Sequence, residues 1–203
     1  SSVKNKQATH SPFILASASK GRAELIEMMG LTPSRIIPAD IDETEKPGEL
    51  PRPLALRLAE GKANAVQNML GADQNNNFIL AADTVVACGR RLLPKAETED
   101  QARYCMKMIS GRRHKIYGGI SIIAPDGKQI SLVIVTTVSF KRLTQDEIDW
   151  FIETGDWEGK AGGDAVQGKA SVFVKFFQGS HSNIVGLSCY DTIAMLKGLG
   201  FKL

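Results

Sequence analysis

Apolar and polar positions along the chain read as alternating strands and helices from the start. Phe13-Ile14-Leu15-Ala16 is a short continuous apolar run of the kind a buried strand shows, and Ser19 is placed to cap a helix carrying Leu25, Ile26 and Met29 up to a stop at Gly30. A second strand is expected over Arg35 to Ala39, followed by an acidic, proline-rich loop with Asp40, Asp42, Glu43 and Glu45. Pro53 suits a first helical position, and Leu54, Leu58, Ala59, Ala65, Val66 and Met69 then make a long amphipathic helix, closed by polar Gly71 to Asn77. Phe78 to Ala87 is almost wholly apolar, as expected of a central strand buried on both faces, with Asp83 interrupting it. Thr98-Glu99-Asp100-Gln101 has the form of a capping box and opens a helix ending near Gly111. His114 to Ala124 and Gln129 to Phe140 flank the turn Pro125-Asp126-Gly127 and read as an antiparallel hairpin. A second capping box, Thr144 to Glu147, opens a helix ending at Gly155; a glycine-rich loop, a strand over Ser171 to Phe177 and a helix around Asp191 to Leu199 complete the chain. The pattern predicts an α/β fold with a mixed sheet.

Length and composition narrow the class. The 203 residues fit one domain, and the polar residues 1–12 read as a flexible leader to a single domain over 13–203. With 43% hydrophobic and 23% charged residues, the chain is neither disordered nor fibrous. No apolar run approaches the ~20 residues that span a bilayer, so no membrane association is expected. The net charge of +3 is too mild, and too evenly spread, to argue for nucleic acid, whereas a phosphate-bearing small molecule suits it. Cys88, Cys105 and Cys189 are too few and too scattered for a disulfide framework or a zinc site, and read as reduced cytoplasmic thiols. His114 and His181 read as ordinary surface histidines.

Asp83 carries the most information. A carboxylate inside an apolar strand costs several kcal/mol to bury unless a cation or a metal pairs with it, so it is either a candidate active-site group or the start of a turn at a strand end. Glu43, beside Asp42 in the acidic loop, offers hard oxygen ligands to Mg²⁺ or Mn²⁺. Lys62 and Lys95 are phosphate ligands only if the fold brings them together. Ser17-Ala18-Ser19-Lys20-Gly21-Arg22 joins a strand to a helix, where backbone N–H groups form an anion site that Arg22 completes; a plain capped turn explains the segment equally well. Gly163 to Ala170 nearly spells the phosphate-loop pattern, but Ala170 lacks the hydroxyl that would hold Mg²⁺ and a β-rich run follows instead of a helix. Gly162, Gly163 and Gln167 are better read as a tight loop, able either to approach a ligand or simply to turn.

Taken in order, LASASKGR (15–22), IDE (41–43), LAEGKA (58–63), AADT (81–84), LPK (93–95), SGRRH (110–114), AGGDAVQG (161–168) and GSHSNIVGL (179–187) resemble the Maf family of nucleoside triphosphate pyrophosphatases. The resemblance covers nearly the whole chain. It implies a fold like that of inosine triphosphate pyrophosphatases, an elongated mixed sheet flanked by helices with a cleft between two lobes. It also implies a cytoplasmic and often dimeric enzyme that cleaves nucleotides to monophosphate and pyrophosphate with a divalent metal, as in house-cleaning of non-canonical nucleotides. By motif, Asp83 matches the family's proton acceptor. Ser17 and Arg22 fall in its phosphate loop, Glu43, Lys62 and Lys95 at charged positions around the triphosphate, and Thr84 and Gln167 at positions tied to base selectivity. Glu43 and Asp83 are then the implied metal ligands.

The chain also departs from that pattern. Gly21 stands where the family carries an arginine in its dTTP/UTP subgroup or a tryptophan in its 7-methyl-GTP subgroup, Asp164 where an aromatic is common, and Ser188 where proline is usual. Thr84 and Gln167 favour the first subgroup, while the missing side chain at Gly21 argues for a wider or shifted base pocket and hence a general nucleoside triphosphate pyrophosphatase. Two rivals remain: a dTTP/UTP-restricted enzyme, and a regulatory or nucleic-acid-binding protein of the septum-formation type that keeps the fold with little activity.

Overall fold

The computed structural model describes residues 9–162 and 168–203. One seven-stranded mixed sheet runs through them: β1 (Phe13–Leu15), β2 (Arg35–Ile36), β3 (Phe78–Cys88), β4 (Arg91–Leu92), β5 (Arg113–Ile123), β6 (Gln129–Phe140) and β7 (Val174–Gln178). The order is β2-β1-β3-β5-β6-β7, with β4 against the far end of β3. The β1 pairings with β2 and β3 are parallel and the others antiparallel. The helices are α1 (Lys20–Met28), α2 (Pro51–Leu70), α3 (Glu99–Ile109), α4 (Gln145–Thr154), α5 (His181–Val185) and α6 (Cys189–Gly198).

Strand period decides how the layers assemble, because successive side chains of β3 point to opposite faces. Ile79 and Ala81 pack with Ala63, Val66 and Leu70 of α2. Phe78, Leu80 and Ala82 face the other way, into a cluster with Leu25 and Ile26 of α1 and Met195 and Leu196 of α6. Further along that second face, Val86 packs with α3 and α4 through Met106, Ile109, Ile148 and Phe151. The α1/α6 and α3/α4 packs therefore share one face of the sheet at its two ends. Both capping boxes close as their sequences predict, with Thr98 and Thr144 each accepting from the backbone three residues on.

Several expectations change. The strand expected over Arg35 to Ala39 ends at Ile36, with one further bond from Ile37 N to Leu15 O (2.9 Å), since Pro38 has no N–H with which to continue. Helix α2 starts at Pro51, and Met69 is 65% exposed because Ala63, Val66 and Leu70 form the inward stripe. Ser171 to Phe173 belong to a 3₁₀ segment, Lys169–Phe173, and not to a strand: Ala170 and Phe173 are both buried at a spacing of three, which a turn satisfies and strand alternation does not. The periodicity reading missed β4 and α5, which are too short to show a period. His114 is a core residue, wholly buried and edge-on to Phe140 at 5.2 Å. At the end of the expected leader, Ser11 N donates to Lys202 O (2.8 Å) and Pro12 O accepts from Phe78 N (3.0 Å), so the chain is tied down from there. Cys88, Cys105 and Cys189 form no disulfide with one another. No described helix is long and apolar enough to cross a membrane.

Candidate active site

The cleft arises from a gap along one edge of β3. β1 follows that edge only as far as Leu80, and β4 rejoins it at Ala87; between them residues 81–85 have no strand alongside, while β5 covers the opposite edge. Side chains from both faces of β3 thereby reach one cavity of about 810 Å³, large enough for a nucleotide. Asp83 enters from the α2 side and Thr84 from the α1 side.

Two glycines of β5 let the walls close around this gap. Gly119 pairs with Asp83, and a Cβ there would fall 2.8 Å from the carbonyl carbon of Ala55 and 3.1 Å from Ala59 Cβ, so only glycine lets α2 lie this close to the sheet. Gly118, paired with Thr84, faces the other way, and a Cβ there would run into the side-chain amide of Asn183 on α5. Asn183 is fully buried and donates to Ile134 O (3.1 Å), Thr136 Oγ1 (3.1 Å) and Ile116 O (3.3 Å), which fixes α5 and the following Gly186 against the sheet.

On the α2 face, the Lys62 ammonium lies 2.7 Å from Asp83 Oδ1 and 2.9 Å from Glu43 Oε1. Asp83 is only 5% exposed, and burial pushes its carboxyl above the ordinary range against the pull of Lys62 and Arg22. For Glu43 burial also opposes ionisation, but the hydrogen bond and charge of Lys62, a hydrogen bond with Asp83 and the charge of Lys95 together bring it below its ordinary value. Two carboxyls sharing one ammonium are thus driven apart in acidity, the pattern by which sites separate proton-holding from charge-holding groups.

On the α1 face, the buried Arg22 guanidinium is held by three acceptors: Gly186 O (2.9 Å), Thr84 Oγ1 (3.0 Å) and Ser17 Oγ (3.2 Å). Desolvation lowers its pKa from the ordinary arginine value, opposed by the charges of Asp83 and Glu43. Ser17 sits behind Arg22, and its oxygen also accepts from Ser19 N (3.1 Å). Gly21 lies on the cleft wall in the first turn of α1, where an added Cβ would come no closer than 3.4 Å to the carbonyl oxygen of Val185.

Lys95 reaches the cleft from the opposite lip. Its backbone forms an isolated antiparallel bridge with Ala161, and Ala96 N to Lys160 O (3.1 Å) and Gly162 N to Pro94 O (3.0 Å) pin the two loops together. The cavity therefore gathers Arg22, Lys62, Lys95, Glu43, Asp83 and Thr84, with Gly21 on its wall and Ser17 one layer behind. Gln167, Asp164 and Gly163 lie outside the described residues.

Sequence reading missed the group that holds the Glu43 loop. Arg57 on α2 donates to both oxygens of Glu49 (2.7 and 2.8 Å) and to Thr44 O (3.1 Å), clamping the acidic loop onto the helix one turn before Lys62. The hydrogen bonds from Arg57, then from Lys46 N, bring Glu49 down to about 2. Eight residues of separation across a proline-rich loop leave no periodic signal for such a pair. Lys160, also on the cleft wall and 3.4 Å from Asp156, was missed for a similar reason.

A divalent cation fits this donor set. Glu43 and Asp83 already converge on one cationic atom, and two carboxylates completed by phosphate oxygens and water are a usual way to hold Mg²⁺ or Mn²⁺. Among the described residues no three His, Cys, Asp or Glu gather as a cage.

The Maf-like protein family pattern matches residues 12–199. A dTTP/UTP pyrophosphatase of Paramagnetospirillum magneticum is 51% identical over 189 residues, covering 93% of this chain and 97% of that protein. Its counterpart in Caulobacter vibrioides, of the same description, is 50% identical over 190 residues, covering 94% and 96%. Among solved structures, the Staphylococcus aureus Ham1 protein aligns with a TM-score of 0.49 at 15% identity, over 92% of this chain and 98% of that one.

Proposed function

The chain belongs to the Maf family, and from that membership together with the cleft at β3 we propose that it is a nucleoside triphosphate pyrophosphatase, releasing nucleoside monophosphate and pyrophosphate by attack of water at the α-phosphorus. The observation that carries this reading is Asp83, a buried carboxylate at an open strand edge, faced by Lys62 from one side of the sheet and Arg22 from the other.

Asp83 is the proton acceptor. Its raised pKa makes it a stronger base than a solvated aspartate, and general-base assistance is worth ~10²–10⁴ in rate. Arg22, Lys62 and Lys95 receive the triphosphate and compensate the charge that builds on the departing pyrophosphate, which is the main demand of phosphoryl chemistry. Glu43 and Asp83 would hold a divalent cation, which when bound would supply charge neutralisation and ease deprotonation of the attacking water. Thr84, fixed by Arg22, bears on base selectivity, a role that only the family motif gives to Gln167 as well, and Ser17 keeps the Arg22 fork aligned.

Because relatives at about half identity are dTTP/UTP pyrophosphatases, dTTP and UTP are the first substrates to try. The absence of a side chain at Gly21, on the cleft wall, favours a second reading, a broader or shifted base range. Both readings are tested by measuring monophosphate and pyrophosphate release from a panel of canonical and modified nucleoside triphosphates with Mg²⁺, Mn²⁺ and no metal, beside Asp83→Asn. The expected result is metal-dependent monophosphate formation lost in Asp83→Asn, with kcat/KM across the panel ranking the bases. Near-normal turnover by Asp83→Asn at saturating Mg²⁺ overturns the assignment of the base. No turnover on any nucleotide overturns the activity and returns the weight to a binding role.

A further inference from the structure

Lys62 stands where a metal should. Its ammonium bridges Asp83 and Glu43 at 2.7 and 2.9 Å, the two carboxylates to which the preceding reading gives a divalent cation. An ammonium and a divalent cation cannot occupy the space between the same two oxygens, so one must yield before the other binds.

We propose that Lys62 is a place-holding cation: it occupies the metal position in the substrate-free chain, keeps metal binding weak on its own, and moves to the phosphates when metal arrives with nucleotide. The inference rests on the metal assignment made above. Three observations carry it. Asp83 is 5% exposed and needs a cation nearby in the resting state, which Lys62 supplies. Arg22 cannot take over that task, because its guanidinium is committed to Ser17, Thr84 and Gly186 across the sheet. Lysine, unlike arginine, is a point charge on a rotatable stem and can change partners without losing a fixed fork geometry. A triphosphate in the cleft offers it new anionic partners. Nucleotide and metal would then each tighten the binding of the other, as reciprocity between coupled sites requires.

The test reads metal binding directly. Free Mn²⁺ is followed by electron paramagnetic resonance during titration of the whole chain, its Lys62→Met and its Lys62→Arg variants, with and without a non-hydrolysable α,β-methylene nucleoside triphosphate. Wild type should bind Mn²⁺ weakly alone and markedly better with the analogue. Lys62→Met should bind Mn²⁺ alone about tenfold tighter or more, equivalent to ~1.4 kcal/mol, and gain little from the analogue, while Lys62→Arg stays weak. Metal binding by Lys62→Met no tighter than wild type, with its unfolding transition intact, overturns the proposal. If Lys62→Met fails to fold, Lys62→Gln carries the same expectation. In wild type, a Lys62 ammonium resonance that does not move on saturation with Mg²⁺ and analogue also overturns it. This metal competition without any monophosphate release would sink the pyrophosphatase reading alone; turnover without metal competition would sink this inference alone.

Discussion

Gly119→Ala is the substitution through which the fold most directly controls the chemistry. One methyl group placed there falls 2.8 Å from the carbonyl carbon of Ala55 and 3.1 Å from Ala59 Cβ, both on α2, whose own backbone is the obstacle. Cβ atoms in folded proteins rarely approach closer than 3.4 Å, so α2 must lift from the sheet by several tenths of an ångström at Ala59 and more at Ala55. Lys62 follows Ala59 by three residues on the same helical face and is carried with it. Overpacking of this kind costs about 1–3 kcal/mol, and a misplacement of about 1 Å at a reacting group costs on the order of a hundredfold in rate. We expect Gly119→Ala to unfold at lower denaturant with an unchanged m value, and to lose ten- to a hundredfold in kcat/KM (roughly 1.4–2.8 kcal/mol in transition-state stabilisation). Gly198→Ala, on α6 with nothing within 4 Å of the added methyl, is the control and should retain full activity. Wild-type stability and activity in Gly119→Ala would refute the account of α2 being held to the sheet by this glycine.

Two further outcomes follow from the same geometry. Arg57→Ala removes the clamp on the acidic loop and should raise the Mg²⁺ concentration needed for half-maximal activity about fivefold, the equivalent of ~1 kcal/mol for a partly exposed pair, with kcat at saturating Mg²⁺ little changed; an unchanged Mg²⁺ requirement would show that the loop holds Glu43 without it. Asp83 binds its proton more tightly in the folded chain than unfolded, so its contribution to stability is present below its ordinary value of 3.8 and is lost as pH rises through the raised folded value. The wild-type minus Asp83→Asn difference in unfolding free energy should therefore fall with rising pH over that interval, and a flat or rising difference in chemical denaturation would contradict burial as the dominant influence on Asp83.

Local sequence determined the parts of this protein that depend on local physics. Strand alternation, the two capping boxes and the Pro125-Asp126-Gly127 hairpin are short-range patterns, and they recur in the structure because each satisfies its own backbone groups without help from afar. Asp83 was legible for the same reason: a carboxylate in an apolar run is an anomaly visible without coordinates. The ordered motifs carried the family and, with it, the roles expected of Arg22, Lys62, Lys95 and Glu43. What tertiary structure decided was convergence. Whether Glu43, far along an irregular loop, meets Lys62 depends on Arg57 clamping Glu49. Arg22 and Lys62 reach one cleft from opposite faces of the sheet because β1 follows β3 only as far as Leu80 and β4 rejoins it only at Ala87. The 3₁₀ segment at Lys169–Phe173 and the burial of His114 were likewise hidden, since both follow from aromatic packing around Phe140 and Phe173. Periodicity records which face of an element is apolar; where a strand stops along its neighbour's edge, and which distant side chain fills the gap, is set by packing between elements and leaves no period to read.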